Sequence, residues 1–315
     1  MSEALLKLEN VSKIFTLGII GRVRITAVND VSMEIRRGEV LGILGESGSG
    51  KSTIAKLILK ILKPSAGKIF YAGKDIWEID TREYYKRVQG VFQDPYASFN
   101  PRRKVLDVLL DTIRNYYPEE IHNQMERVTE VLNSVGMNIK DIAGKYPHEF
   151  SGGQLQRISI ARALLVKPDI IIADEPVSMV DASTRIDILN IFLNLRDREN
   201  LTSIIIGHDL SLTQYVSDRV AILYRGQIVE QGPADMLRDP AHPYTKMLLE
   251  AVPRMEFRWS QFKYSVESVE RGNGGDVGCV FASRCPSKMS ICSYLQPPIF
   301  NVGYSQVKCW LYGPK

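Results

Sequence analysis

An α/β fold with a parallel sheet is predicted by three short apolar segments, Val40 to Leu44, Asp169 to Asp174 and Thr202 to Asp209, each bounded by polar residues. Strands buried on both faces read as continuous Val, Ile and Leu runs. Their alternation with helical periodicity implies crossovers that lay helices against both faces of the sheet. A second observation is the glycine-rich turn after the first strand, followed by an apolar helical face at Ile54, Leu57, Ile58 and Ile61.

The remaining elements follow in chain order. Residues 4–15 (ALLKLENVSKIF) and 27–39 (AVNDVSMEIRRGE) predict edge strands of a smaller antiparallel sheet, joined by 67–76 (GKIFYAGKDI) around turns at Gly67 and Gly73. Val105, Val108, Leu109 and Ile113, then Met125, Val128, Leu132 and Val135, are spaced for amphipathic helices. These helices belong to an inserted helical subdomain of about residues 96–165. After HPYTKMLLEAVP the unpatterned RGNGGDVG of 271–278 predicts a linker. The expected division is therefore a domain of 1–255 and a cysteine-rich extension of 256–315.

With 44% hydrophobic and 24% charged residues the composition is globular rather than disordered. Lys and Arg exceed Asp and Glu by only four (40 − 36), and the basic runs are short, so nucleic acid is not expected as a partner. No apolar run approaches the roughly 18 residues of a bilayer span, and Glu3, Lys7 and Glu9 interrupt what a signal peptide would keep apolar. A cytoplasmic chain is expected, with any membrane role exercised through partner subunits.

The segment GESGSGKS, Gly45 to Ser52, fits G-x-x-x-x-G-K-[ST], in which glycines let backbone N–H groups converge on a triphosphate at a helix N-terminus. Gly45, Ser47, Gly48, Gly50 and Thr53 are the loop's candidate nucleotide contacts. Lys51 is suited to the β- and γ-phosphates and the Ser52 hydroxyl to Mg²⁺. Asp174, ending a buried strand, can hold Mg²⁺ without entering the sheet, and Glu175 beside it suits the polarisation of an attacking water. Adjacent acids at a strand end also occur as plain surface charge. His208 ends the third strand on the same sheet edge, where an imidazole could touch the γ-phosphate or the attacking water, and the Gln93 amide oxygen is a further candidate for Mg²⁺ or water. A second glycine turn, Ser151-Gly152-Gly153, opens another helix; its free N–H groups form an anion site, although the pattern equally describes a simple N-cap.

Taken together, GESGSGKST, Gln93, FSGGQLQR, IIIADE, SMVDAST and His208, in that order, resemble the nucleotide-binding domain of ATP-binding cassette (ABC) transporters, a P-loop NTPase fold, over roughly residues 5 to 255. The resemblance implies ATP and Mg²⁺ as ligands, Glu175 and His208 as catalytic groups, and Ser151, Gly152, Gly153, Gln154 and Asp181 as nucleotide-contacting residues. It also implies that two cassettes meet head to tail, the Ser-Gly-Gly turn of one closing on the γ-phosphate held by the other. Phe15 takes the place of the base-stacking aromatic. VFQDPYASFNPR, HEFSGGQ, DEPVS and HPYTKMLLEAVP are similar to the ATPase subunits of dipeptide and oligopeptide permeases. The partners so implied are two transmembrane permease subunits, a second and paralogous ATPase and an extracytoplasmic substrate-binding protein, at the cytoplasmic face of the membrane. Import of oligosaccharides or nickel by the same machinery, or a soluble cassette ATPase, are the alternatives. Departures from the usual pattern are Leu155 in place of a basic residue, Met179-Val180 in place of Ala-Leu, and Gly207 in place of Thr.

All four cysteines, Cys279, Cys285, Cys292 and Cys309, fall in the extension, spaced C-x5-C-x6-C-x16-C. That spacing matches neither paired C-x2-C zinc ribbons nor the ferredoxin run. An inorganic staple suits a tail too small for a core of its own, and on spacing alone zinc, an iron–sulfur cluster and unligated thiols all stay open. The similarity of GCVFASRCPSKMSIC to the extension of the same permease subgroup implies a [4Fe-4S] cluster, with Zn²⁺ as the alternative.

Overall fold

The computed structural model describes residues 4–18, 23–251 and 277–314. Strands β1 (Ala4–Leu17) and β2 (Val23–Arg36) pair antiparallel along nearly their whole length, so the first two strands run longer than the sequence pattern indicates. Next come β3 (Val40–Leu44), α1 (Lys51–Ile58), β4 (Ala66–Tyr71) and β5 (Lys74–Asp75). The order β2-β1-β4-β5 forms the small antiparallel sheet. Helix α1 ends before Ile61, which is 53% exposed rather than part of the buried face. The chain turns there through a left-handed Lys60 (φ +58) ahead of Pro64, whose ring excludes helix at the residue before it.

After α2 (Thr81–Arg87) and β6 (Val88–Val91) come α3 (Val105–Tyr116), α4 (Gln124–Ser134), the short α5 (Ile139–Ile142) and α6 (Gly152–Leu164). Val105, Leu109, Ile113, Val128 and Leu132 are buried against one another as predicted. Met125, in the first turn of α4, is 49% exposed, so the apolar face of that helix begins a turn later.

The second half of the chain contains β7 (Ile170–Asp174), α7 (Ala182–Glu199), β8 (Thr202–Gly207), α8 (Leu210–Val216), β9 (Arg219–Tyr224), β10 (Gln227–Pro233), α9 (Pro243–Glu250), β11 (Phe300–Val302) and β12 (Ser305–Val307). Strands β6 to β12 and β3 make one sheet in the order β11-β12-β10-β9-β3-β8-β7-β6. Its half from β9 to β6 is parallel, as predicted; its other half is antiparallel. Asp169, His208 and Asp209 fall just outside the strands predicted to include them.

The cysteine-rich tail is not a separate layer. Strand β12 pairs with β10, matching Glu230 with Val307, and Phe281 is buried against Tyr224 and Tyr244, with ring centroids 5.3 and 5.4 Å away. The buried Glu230 carboxylate accepts the N–H groups of Ala241 (2.8 Å) and His242 (3.1 Å), fixing the turn that delivers Tyr244 to this cluster. The linker predicted at 271–278 lies outside the described residues except for Val277 and Gly278, and so does the boundary at 255. Phe281→Ala should therefore lower global stability by about 3–5 kcal/mol, the scale for emptying an aromatic site in a core. Chemical denaturation checks this; an unshifted midpoint would show that the tail is not part of the main core.

Candidate functional site

Parallel strands that stop at one level set up the site. Leu44 pairs with Gly207, Asp174 with Ile206 and Val91 with Ala173, so the segments after β3, β6, β7 and β8 leave the sheet along one edge. That edge, outside the carboxyl ends of the strands, is where open α/β sheets bind ligands.

Gly45 (φ +154) and Gly50 (φ +106) would each drive a Cβ to 2.2 Å from a carbonyl oxygen, of Leu223 and Ala27 respectively. Only glycine lets the loop close so tightly over β2 and β9 before α1 begins. Ser47 and Gly48 face solvent, and Gly48 (φ +76) has open space beside it. Lys51 is only 6% exposed, and its Nζ donates to the carbonyls of Gly45 and Glu46, each at 2.8 Å. Burial pulls its pKa below the ordinary lysine value, an effect opposed by the carboxylates of Glu175, Asp174 and Glu46. Thr53 is half-buried in the same turn of α1.

The Ser52 hydroxyl donates to Asp174 Oδ1 at 3.2 Å, uniting the two candidate Mg²⁺ residues from opposite halves of the chain. Burial raises the Asp174 carboxyl above the usual carboxylate range, and the Ser52 bond is the largest opposing effect. A hydroxyl and a carboxylate oxygen are hard ligands of the kind Mg²⁺ takes, leaving further positions for water and phosphate. Glu175 follows with a left-handed backbone (φ +48), uncommon for a non-glycine residue, and its N–H donates to Ile206 O at 2.9 Å. Its Oε2 accepts a hydrogen bond from Gln93 Nε2 at 3.2 Å and lies 3.3 Å from His208 Nδ1. One carboxylate oxygen is thus held by two side chains predicted from sequence, an arrangement able to aim the other oxygen at a water molecule.

The second glycine turn is built differently. Ser151 Oγ accepts the Gln154 N–H at 3.3 Å while the Gln154 side chain accepts the Ser151 N–H at 3.0 Å, a reciprocal capping box on α6. A Cβ on Gly152 would stand 2.5 Å from Met179 O, and one on Gly153 3.4 Å from Thr184 Oγ1. The turn is therefore pressed against residues 178–184, where Asp181 is the exposed N-cap of α7. Among the described residues no hydrogen bond or ion pair joins 151–154 to 45–53, so the two glycine turns do not form one site within a single chain. Phe15 lies half-buried on β1 with Lys13 Nζ 5.3 Å from its ring centroid. The replaced residues also fit their surroundings: Leu155 is fully buried, and a Cβ at Gly207 would meet Thr213 Oγ1 at 2.8 Å.

The cysteines converge. Cys279 N–H donates to Cys292 O at 2.9 Å, and the four thiols lie within electrostatic reach of one another. Burial raises the Cys279 and Cys285 thiols, and the Cys309 thiol to about 11. Yet among the described residues no group of three or more His, Cys, Asp or Glu is arranged to hold a metal ion. The arrangement of the four thiols therefore gives geometric support neither to an iron–sulfur cluster nor to zinc. Two residues that the sequence did not single out also reach the phosphate loop. Glu46 N–H donates to Tyr244 Oη at 3.0 Å, and the Glu46 carboxylate is gripped by Arg284. Neither follows from local pattern, since 198 and 238 residues separate the partners. Among the described residues no helix is long and apolar enough to cross a membrane.

A family described as ABC transporter matches residues 28–178, and one described as the C-terminal region of oligopeptide/dipeptide transporters matches residues 229–292. The oligopeptide transport ATP-binding protein AppF of Bacillus subtilis strain 168 is 39% identical, covering 98% of each chain. The dipeptide transport ATP-binding protein DppF of Escherichia coli K12 is 38% identical over 91% of this chain and 87% of its own. Among solved structures, a dimeric post-hydrolysis state of an ATP-binding cassette bound to ADP and Pi superposes with a TM-score of 0.63 at 30% identity, covering 73% of this chain and 98% of that one.

Gly152→Ala tests the packing of the second turn. The added methyl must displace the Met179 carbonyl, so a loss of about 1–3 kcal/mol in stability is expected. Thermal unfolding of the variant beside the parent protein checks it.

Proposed function

Since the chain belongs to the ATP-binding subunits of ABC transporters for oligopeptides and dipeptides, we propose that it energises peptide uptake as one half of a two-cassette motor at the cytoplasmic face of the cell membrane. It is an ABC-type ATPase. It works with two transmembrane permease subunits, an extracytoplasmic substrate-binding protein and a second, paralogous ATPase subunit. Residues 1–255 form the motor, with the helical subdomain of about 96–165 and Gln93 facing the permease, and residues 256–315 form the extension.

The observation that carries the mechanism is the convergence of Gln93 and His208 on a single oxygen of Glu175, beside the Ser52–Asp174 pair. The backbone amides of Gly45 to Thr53 cradle the polyphosphate, and Lys51 exchanges its carbonyl partners for the β- and γ-phosphates. Ser52, Asp174 and the Gln93 amide oxygen would hold Mg²⁺, which would supply positive charge against the phosphate oxygens. Glu175 accepts the proton of the attacking water while His208 and Gln93 keep it oriented. Ser151, Gly152, Gly153 and Gln154, with Asp181, complete the pocket of the opposing cassette, which accounts for their separation from this chain's own loop. Phe15 stacks on the adenine base, for which Lys13 must leave the ring. Glu175→Gln should reduce turnover by at least about 10²-fold while leaving ATP bound. Steady-state hydrolysis and nucleotide-trapped gel filtration read the two effects, and turnover near the parent rate would remove Glu175 from the role of base.

In the extension, Cys279, Cys285, Cys292 and Cys309 would be the ligands of a [4Fe-4S] cluster. What supports this reading is the mutual electrostatic reach of the four thiols in a tail with only short strands of its own. Anaerobically purified protein should be brown, with iron and sulfide each about fourfold over protein. Colourless protein with one zinc per chain would overturn the assignment.

A further inference from the structure

Glu46, the second residue of the phosphate loop, is held from behind by the cysteine-rich extension. Arg284 Nη1 donates to its Oε2 at 2.8 Å and Arg284 Nη2 to its Oε1 at 2.9 Å, a two-pronged fork that fixes the plane of the carboxylate. The guanidinium is itself positioned by the faces of Tyr224 and Phe281, with ring centroids 5.8 and 6.0 Å away, and by Met247 Sδ at 3.8 Å. Tyr244 Oη takes the Glu46 N–H, and Lys51 Nζ takes the Glu46 carbonyl. Every polar group of Glu46's backbone and side chain thus has a partner either in the nucleotide machinery or in the elements that carry the extension.

Charge explains why such a grip matters. Glu46 lies within electrostatic reach of Lys51, so its carboxylate acts on the same space as the polyphosphate. An unpaired anion there repels a triphosphate, and in a partly desolvated loop this repulsion is screened less than in water. We propose that Arg284 is a positioning residue for nucleotide binding: it neutralises Glu46 and holds it aside, and through this pair the extension sets the affinity of the phosphate loop for Mg²⁺-ATP. The inference rests on the phosphate-loop reading of residues 45–53.

Calorimetric titration of the full chain with Mg²⁺-ATP tests this in a two-residue cycle. R284A should weaken binding about fivefold, the scale of a part-exposed ion pair, and more strongly at low salt, where the bare Glu46 charge is unscreened. E46Q should bind at least as tightly as the parent, and R284A added to E46Q should change affinity by less than about twofold. An equal loss from R284A in both backgrounds, without salt dependence, would overturn the proposal by reducing Arg284 to packing. A weakened E46Q single variant would also overturn it, and this arm does not depend on R284A folding. K51A separates the two levels: retained ATP affinity there sinks the phosphate-loop reading itself, whereas lost affinity with an uncoupled cycle sinks only the role of Arg284.

Discussion

The common ending of the parallel strands is the constraint on which the rest depends. Strands β3, β7 and β8 are each five or six residues long and buried on both faces, so their register is fixed by packing. With Leu44 opposite Gly207 and Asp174 opposite Ile206, the polar residues that follow these strands emerge together at this edge. A slip of one residue in β7 would point Asp174 into the opposite layer. The meeting of Ser52, Gln93, Asp174, Glu175 and His208 is thus a by-product of where an apolar sheet runs out.

Electrostatics at that edge follow from the same geometry. Lys51, Asp174 and Glu175 lie where a low-dielectric sheet meets water, and burial disfavours the charged form of both Lys51 and Asp174. Each is offset by the other and by hydrogen bonds, from Ser52 to Asp174 and from Lys51 to two loop carbonyls. Such groups are poised for a ligand that brings phosphate to the lysine and a cation to the carboxylate. Glu175 is held in a left-handed backbone with Gln93 and His208 on one oxygen, which leaves its other oxygen free to orient a water.

The second glycine turn and the tail extend the site in opposite directions. The capping box at Ser151 satisfies the first N–H groups of α6 only partly, and Gly152 is packed tightly against the 178–184 segment. The tail approaches the phosphate loop from behind, through Tyr224, Tyr244, Phe281 and Arg284. The loop is consequently the meeting point of the small sheet at Ala27, the main sheet at Leu223 and the extension at Arg284.

Local pattern was enough for much of this. The continuous apolar runs of β3, β7 and β8, the glycines before Lys51 and the acids after Ala173 are short-range signals, and a strand followed by a tight turn and helix N-terminus leaves little choice of backbone. The same patterns overran at Ile61 and Met125, where periodicity continues past the point at which Pro64 or the start of α4 ends the buried face. What only the tertiary structure decided is which distant residues meet: Gln93 and His208 on Glu175, β12 on β10, and Arg284 on Glu46. Residue type and spacing encode the local path of the chain, because backbone sterics and burial act over a few residues. Contacts across 33 (208 − 175) to 238 residues are set by how whole layers pack, and no local periodicity carries that information.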